Sequence, residues 1–183
     1  MTAAVITASA SIVVAVLVFV LNQYAQIRAE RRGARLDRVA SQLRDLYGPL
    51  HALVDVNERL WQALRDDNLP GQQQRRSDAA LTEDQQDQWM RWVQQALMPA
   101  NIRMRELILG RADLVIEDGM PEALRAFCAH VAAYEVVLAH PDDRRPALIT
   151  HPGAAYVDYV RRSFDALKRE QHRLLATRRS GRR

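Results

Sequence analysis

From Leu36 onward apolar residues recur at alternating steps of three and four: Leu36, Val39, Leu43, Leu46, Leu50, Leu53, then Asn57, Leu60 and Leu64. That spacing is the a/d seam of an amphipathic helix. Pro49 falls at a g position of the seam and Gly48 at f, so neither occupies the core and the register runs on through them. A proline inside a helix removes the amide that would bond the Asp45 carbonyl and crowds that carbonyl with its ring, and the glycine before it tolerates the resulting backbone. The pattern therefore predicts one helix hinged at Gly48 and Pro49. The alternative is a break, with Gly48 as a cap and Pro49 as the first residue of a new helix.

Beyond Asp66 the periodicity stops in "DDNLPGQQQRRSDAAL", a polar run with a Pro-Gly turn that reads as a loop. Thr82 and Gln85 have the spacing of a capping box and open a second helix, with an apolar face of Trp89, Val93, Ala96, Ala100, Met104 and Leu107, widened by Trp92 and Leu97. Pro99 predicts a second kink and Gly110 a C-terminal cap. A third helix begins at Pro121 with Glu122 beside the positive end of its dipole. Its seam of Leu124, Phe127, Val131, Tyr134 and Leu138 is so poor in polar neighbours that it should be the most buried of the set. After the proline-punctuated "HPDDRRPALITHPG", a fourth helix starts near Ala154 on Val157, Val160, Phe164, Leu167, Gln171 and Leu174, and "TRRSGRR" should fray.

Toward the N-terminus the pattern changes in kind. Between Met1 and Ile27 there is no charged side chain, and Ala3 to Leu21 is almost wholly apolar or small. About 20 such residues suffice to cross a hydrocarbon core, so a transmembrane helix is expected. A cleaved signal peptide would want a basic segment before the apolar run and a small-x-small site after it; neither is present. Instead Arg28, Arg31, Arg32, Arg35 and Arg38 follow the run. Flanks rich in arginine stay cytoplasmic, which orients the N-terminus outward and the remaining chain inward at a bacterial inner membrane. Run backward, the seam meets Ala4, Ala8, Ser11 and Ala15, a small-residue face suited to pairing two copies; the alternative is a single span facing lipid all round.

The expected architecture is all-α: an N-terminal transmembrane helix continuing into a cytoplasmic antiparallel four-helix bundle. It divides into an anchor over 1–27, a juxtamembrane helix over 28–47, the bundle over 48–176 and a basic disordered tail over 177–183. Composition agrees with folding, at 48% apolar and 26% charged residues in 183. Nearly every basic residue is arginine, Lys168 being the one lysine, as in GC-rich bacterial coding. The single cysteine, Cys128, excludes an internal disulfide framework.

The formal charge of +4 is unevenly held. Residues 28–45 carry six arginines against three acids, and residues 168–183 carry seven basic groups against Glu170 alone. The intervening segment is net negative, which argues against a nucleic-acid stripe on the folded part. Basic ends suit anionic lipid headgroups instead, with Arg28, Arg31, Arg32, Arg35, Arg178, Arg179, Arg182 and Arg183 as the contacting residues.

Candidate chemistry is sparse. HExxH, CxxC, GxSxG and phosphate-binding glycine loops are all absent, so no catalytic residue and no cofactor is assigned. The nearest thing to a metal site is His140, Asp142, Asp143 and His151 in one connection, where imidazole and carboxylate could hold a divalent ion; the plainer reading is a solvated turn. His130 and Tyr134, one turn apart with Glu135 nearby, suit structural hydrogen bonds. Asn57 and Gln171 at seam positions suit the setting of register.

"LYGPL" after an arginine-rich helix, "AHVAAYEVVL" at 129–138 and "HPGAAYVDYV" at 151–160 make the chain resemble a group of bacterial single-pass membrane proteins with no assigned activity. The resemblance covers most of the part beyond the apolar run. It implies topology and contributes no catalytic residues. The functional expectation is a membrane-anchored scaffold or adaptor acting by protein and anionic-lipid binding. The alternatives are a membrane-active effector of a stress or defence response and a metal-dependent membrane-tethered enzyme.

Overall fold

The computed structural model describes residues 2–66, 82–140 and 149–180, and within them the side chains of 2–14, Arg65, Glu83 and 177–180 are not described. The described chain is all-helical, with no strand among the described residues. Helix α1 spans Thr2–Gln42 and α2 Gly48–Asp66, joined by a widened (π) turn at Leu43–Tyr47. Helices α3 (Glu83–Trp92) and α4 (Met98–Gly110) are joined in the same way at Val93–Leu97. A short 3-10 turn at Ala112–Leu114, α5 (Glu122–Ala139) and α6 (Ala154–Ser180) complete the order. Two compact units result, Ser41–Arg169 and a second of Met1–Ala40 with Glu170–Arg183.

Each proline inside a helical run is preceded by a π turn, and the reason is steric. An α-helical turn would press the proline ring against the carbonyl four residues back, and that carbonyl would have no donor. Bonding to the fifth residue displaces the crowded carbonyls. Accordingly the Gly48 N–H donates to the Leu43 carbonyl, one residue before Pro49. The Met98 N–H donates to the Val93 carbonyl, one residue before Pro99. Gln42 (φ −55°, ψ −44°) and Gly48 (φ −66°, ψ −57°) both keep helical dihedrals, so the helical conformation is continuous through the motif. A Cβ on Gly48 would lie 2.4 Å from the Leu43 oxygen, so the close approach requires glycine.

At the first widened turn the buried seam broadens to adjacent residues. Gln42 with Leu43, and Leu46 with Tyr47, are buried as adjacent pairs. Past the turn the core continues on Leu50, Val54, Asn57 and Leu64, while Leu53 and Leu60, core positions of a uniform heptad, are half-buried. The second run repeats the correction. Asn101 and Ile108 are buried where Ala100 and Leu107 were expected, and Trp92 is exposed.

Within the Ser41–Arg169 unit, α2 runs antiparallel to the α3–α4 run. Ascending along the first, Asn57 meets Asn101 and Trp61 meets Trp89, a descending order. Helix α4 joins α5 through the Arg105–Glu135 ion pair, and α5 joins α6 through the stacked rings of Phe127 and Tyr156, 4.0 Å apart. The capping box at Thr82 forms, with Thr82 Oγ1 accepting from the Gln85 N–H and Gln85 Oε1 accepting from the Thr82 N–H.

Three local expectations are corrected. Gly110 is not a left-handed cap, because the Arg111 N–H returns directly to the Leu107 carbonyl; the positive φ belongs to Gly153, at +58° just before α6. Pro121 is the extended residue ahead of α5 rather than its first turn. Burial on α5 is concentrated between Leu124 and Val131, and Val136 is 62% exposed, since Glu135 is drawn toward Arg105 at the margin of the core.

Among the described residues no helix is long and apolar enough to cross a membrane. Of the run expected to do so, the side chains up to residue 14, including Ala4, Ala8 and Ser11, lie outside the described residues, as do Asp142, Asp143 and the tail arginines Arg178, Arg179, Arg182 and Arg183. From Ala15 to Arg35 every side chain is exposed.

Candidate functional site

The best-built polar constellation lies on the first π turn. Tyr47 is fully buried there, and its hydroxyl stands 2.9 Å from that of Tyr159 on α6. Tyr159 donates its proton to the Glu117 carboxylate at 2.8 Å, so the Tyr47 hydroxyl must donate to the Tyr159 oxygen. The Tyr47 oxygen in turn accepts the Ile116 N–H at 3.3 Å. One turn earlier, buried Gln42 donates from Nε2 to the Leu114 carbonyl at 3.0 Å. The segment Leu114–Glu117 is thereby strapped across the π turn by both of its flanking side chains. Burial raises the pKa of Tyr47 above the ordinary phenol value. Burial, and then its bond to Tyr47, raise that of Tyr159 well beyond. Both phenols stay protonated, and the relay acts as a directional tie rather than a base or nucleophile.

A second cluster forms where α5 meets the start of α6. The His130 and His151 rings meet edge to face at 5.0 Å, beside the stacked Phe127 and Tyr156. His130 Nδ1 lies 2.9 Å from the Ile149 carbonyl, which only accepts, so this imidazole carries its proton on Nδ1. His151 Nδ1 accepts the Gly153 N–H at 2.9 Å, which places the proton of neutral His151 on Nε2. Burial, reinforced by His130, lowers the pKa of His151 to about 4, and burial also lowers that of His130. Two neutral rings of opposite tautomer result.

Of the metal candidates, Asp142 and Asp143 lie outside the described residues. His140 is an exposed residue at the C-terminal end of α5, with Nδ1 donating to the Val136 carbonyl at 3.1 Å, while His151 is packed against Phe127 and His130. Among the described residues no group of three or more His, Cys, Asp or Glu side chains is placed to hold a metal ion. Tyr134 packs against His130 at 5.7 Å and Glu135 pairs with Arg105, as structural roles require.

Asn57 is buried and donates from Nδ2 to Asn101 Oδ1 at 2.9 Å, while its own Oδ1 has no partner. The pair floors a small cleft walled by Trp61, Met104, Tyr156 and His151. In the other unit, Arg28 lies over the Tyr24 ring at 4.8 Å and Arg35 Nε meets Glu170 Oε1 at 2.8 Å; Arg31 and Arg32 are exposed. The tyrosine relay and the strap escape a reading of the seam, because Tyr47, Tyr159 and Gln42 all sit off a uniform heptad. The usable signal is the placement of Tyr47 directly before Gly48 and Pro49.

Compared with known protein families, curated proteins and solved structures, the chain shows no match.

Proposed function

We propose that the chain is a membrane-anchored helical scaffold or adaptor. In this reading the apolar N-terminal helix crosses a bacterial inner membrane with its N-terminus outside, and the helical part beyond it, an antiparallel four-helix bundle on the cytoplasmic side, acts by binding. The observation that carries the reading is the belt Val16–Leu21, in which six successive apolar side chains are each 50–63% exposed. At 100° per residue six positions cover the whole circumference, and a helix apolar on all sides needs lipid or an enclosing core. Arg28, Arg31 and Arg32 follow at the level of headgroups, which supports the cytoplasmic orientation and contact with anionic lipid.

The test is a C-terminal alkaline phosphatase fusion together with alkaline carbonate extraction of membranes. The fusion should be inactive and the protein should stay in the pellet. Phosphatase activity would reverse the orientation, and release by carbonate would refute the anchor.

A further inference from the structure

Where α2, α4 and the approach to α6 meet, the Ser41–Arg169 unit holds a cleft lined by Asn57, Glu58, Trp61, Asn101, His151 and Tyr156. It opens to solvent, and its floor has room for one water-sized group. Two N–H donors line this space with no partner of their own. Asn101 is only 8% exposed, and its Oδ1 is taken by Asn57 Nδ2 at 2.9 Å. Among the described residues its Nδ2 is neither hydrogen-bonded nor sealed from solvent. His151 stands in the same condition. Its Nδ1 accepts the Gly153 N–H, so the neutral ring carries its proton on Nε2, and that nitrogen too is unbonded and unsealed. Burial holds the ring neutral, so at ordinary pH Nε2 offers a proton without a charge.

Polar groups this deep are ordinarily matched, and a small-molecule site is marked by a few such groups on an otherwise apolar wall. The nearby orphan acceptor, Asn57 Oδ1, is covered and open to no ligand. The acceptor lining the cleft is instead the carboxylate of half-buried Glu58. An anionic ligand would meet that carboxylate, and a cation would meet the two N–H groups. A neutral ligand with an oxygen at one end and N–H at the other satisfies all three, and a carboxamide is the smallest planar group that carries both.

We propose that this cleft binds a primary carboxamide, its oxygen taken by Asn101 Nδ2 and His151 Nε2 and its nitrogen donating to Glu58, with Trp61 and Tyr156 as walls. The site belongs to the Ser41–Arg169 unit alone and does not depend on the membrane reading. The carboxamide is that of a free small amide or of a glutamine or asparagine side chain on a partner, since the recognised chemistry is the same.

The test titrates acetamide into the full-length chain, isotopically labelled in detergent micelles, and follows the Asn101 side-chain amide and His151 Nε2 resonances. Both should shift together and saturate in the millimolar range, as suits so small a ligand. Acetone has no donor for Glu58 and methylammonium no acceptor for the two N–H groups; these and ethanol should bind about tenfold more weakly or worse. Glu58→Ala should weaken acetamide by about tenfold. Asn101→Asp keeps an oxygen for Asn57 Nδ2 but replaces the free donor by an acceptor, and should abolish binding. Should that variant fail to fold, Glu58→Ala decides. No saturation in the wild type, equal binding of any control, or unchanged affinity in Glu58→Ala each overturns the inference. Glutamine and its N-acetyl, C-methylamide form then separate the sources. The tighter binder names the free molecule or the partner's side chain, and failure of both overturns the inference as well.

Discussion

At the scale of single residues, the glycines separate cleanly by what surrounds them. Gly48 is tied to a carbonyl oxygen 2.4 Å from where its Cβ would be, whereas a Cβ on Gly33 in α1 would meet nothing within 4 Å. Gly48→Ala should therefore lower stability by about 1–3 kcal/mol, the scale of a locally strained backbone. Gly33→Ala should be neutral or stabilising by up to about 1 kcal/mol through helix propensity. Chemical denaturation of both variants against wild type checks the contrast. The histidines make a second residue-scale prediction. His130 and His151 are held neutral in the folded state, whereas in the unfolded chain both take up protons near the ordinary value of about 6.5. The contribution of His151 to stability is complete above pH 6.5 and is lost as pH falls toward about 4, and His130 adds in the same direction. For His151 the loss should be of order 2–3 kcal/mol. His151→Gln should flatten the decline between pH 6.5 and 4; an identical slope in the variant would show that the cluster does not control it.

At the scale of elements, much was legible in the chain and one thing was not. The capping box at Thr82 is a local reciprocal bond between residues three apart, so spacing alone predicts it. The start of α6 near Ala154 and the buried run Leu124 to Val131 follow from helical periodicity in the same way. The π turns were hidden because a heptad pattern assumes equal turns. A proline signals trouble with the ladder without saying whether the helix bends, breaks or takes in a residue. Beyond the turns Val54 rather than Leu53, and Asn101 rather than Ala100, reach the core. The Asn57–Asn101 pair ties the two seams together and gives a third prediction. Asn101→Leu should cost about 1–3 kcal/mol, because it strands the Asn57 amide in a buried place. Asn57→Leu combined with Asn101→Leu should recover much of that loss, since both polar groups are then gone. A double-mutant cycle measures the coupling, and additive losses would count against it.

For the whole molecule, the all-helical class and the four helical runs of the described residues were legible because every long periodic segment has the helical period and none has the strand period. The polar relay was not, since Tyr47, Ile116, Tyr159 and Glu117 come from three distant stretches and no local rule links them. Of the metal candidates, the two described histidines are close in sequence, but His140 faces solvent while His151 is drawn into an aromatic cluster. The tether proposed here predicts a charge effect at the same scale. With the full-length chain reconstituted in vesicles of mixed charge, Arg31→Gln together with Arg32→Gln should weaken the enrichment of anionic lipid around the protein. About 1 kcal/mol per charge is at stake near the surface, and added salt should erase the difference between variant and wild type. Equal enrichment at low salt would remove these two arginines from the lipid contact.

The contact between Trp61 on α2 and Trp89 on α3 has an optical consequence. The indole centroids are 5.1 Å apart with their planes tilted by 40°, while Trp92, one turn further along α3, is 40% exposed. Two chromophores at that distance and angle share their excited states, so the folded chain should show an exciton couplet in its far-ultraviolet circular dichroism. The third indole, wetted by solvent, should contribute a red-shifted fluorescence that changes little on heating. Trp61→Phe should abolish the couplet and leave the red-shifted emission in place. The melting of the couplet then follows the α2–α3 seam by itself, with no label attached.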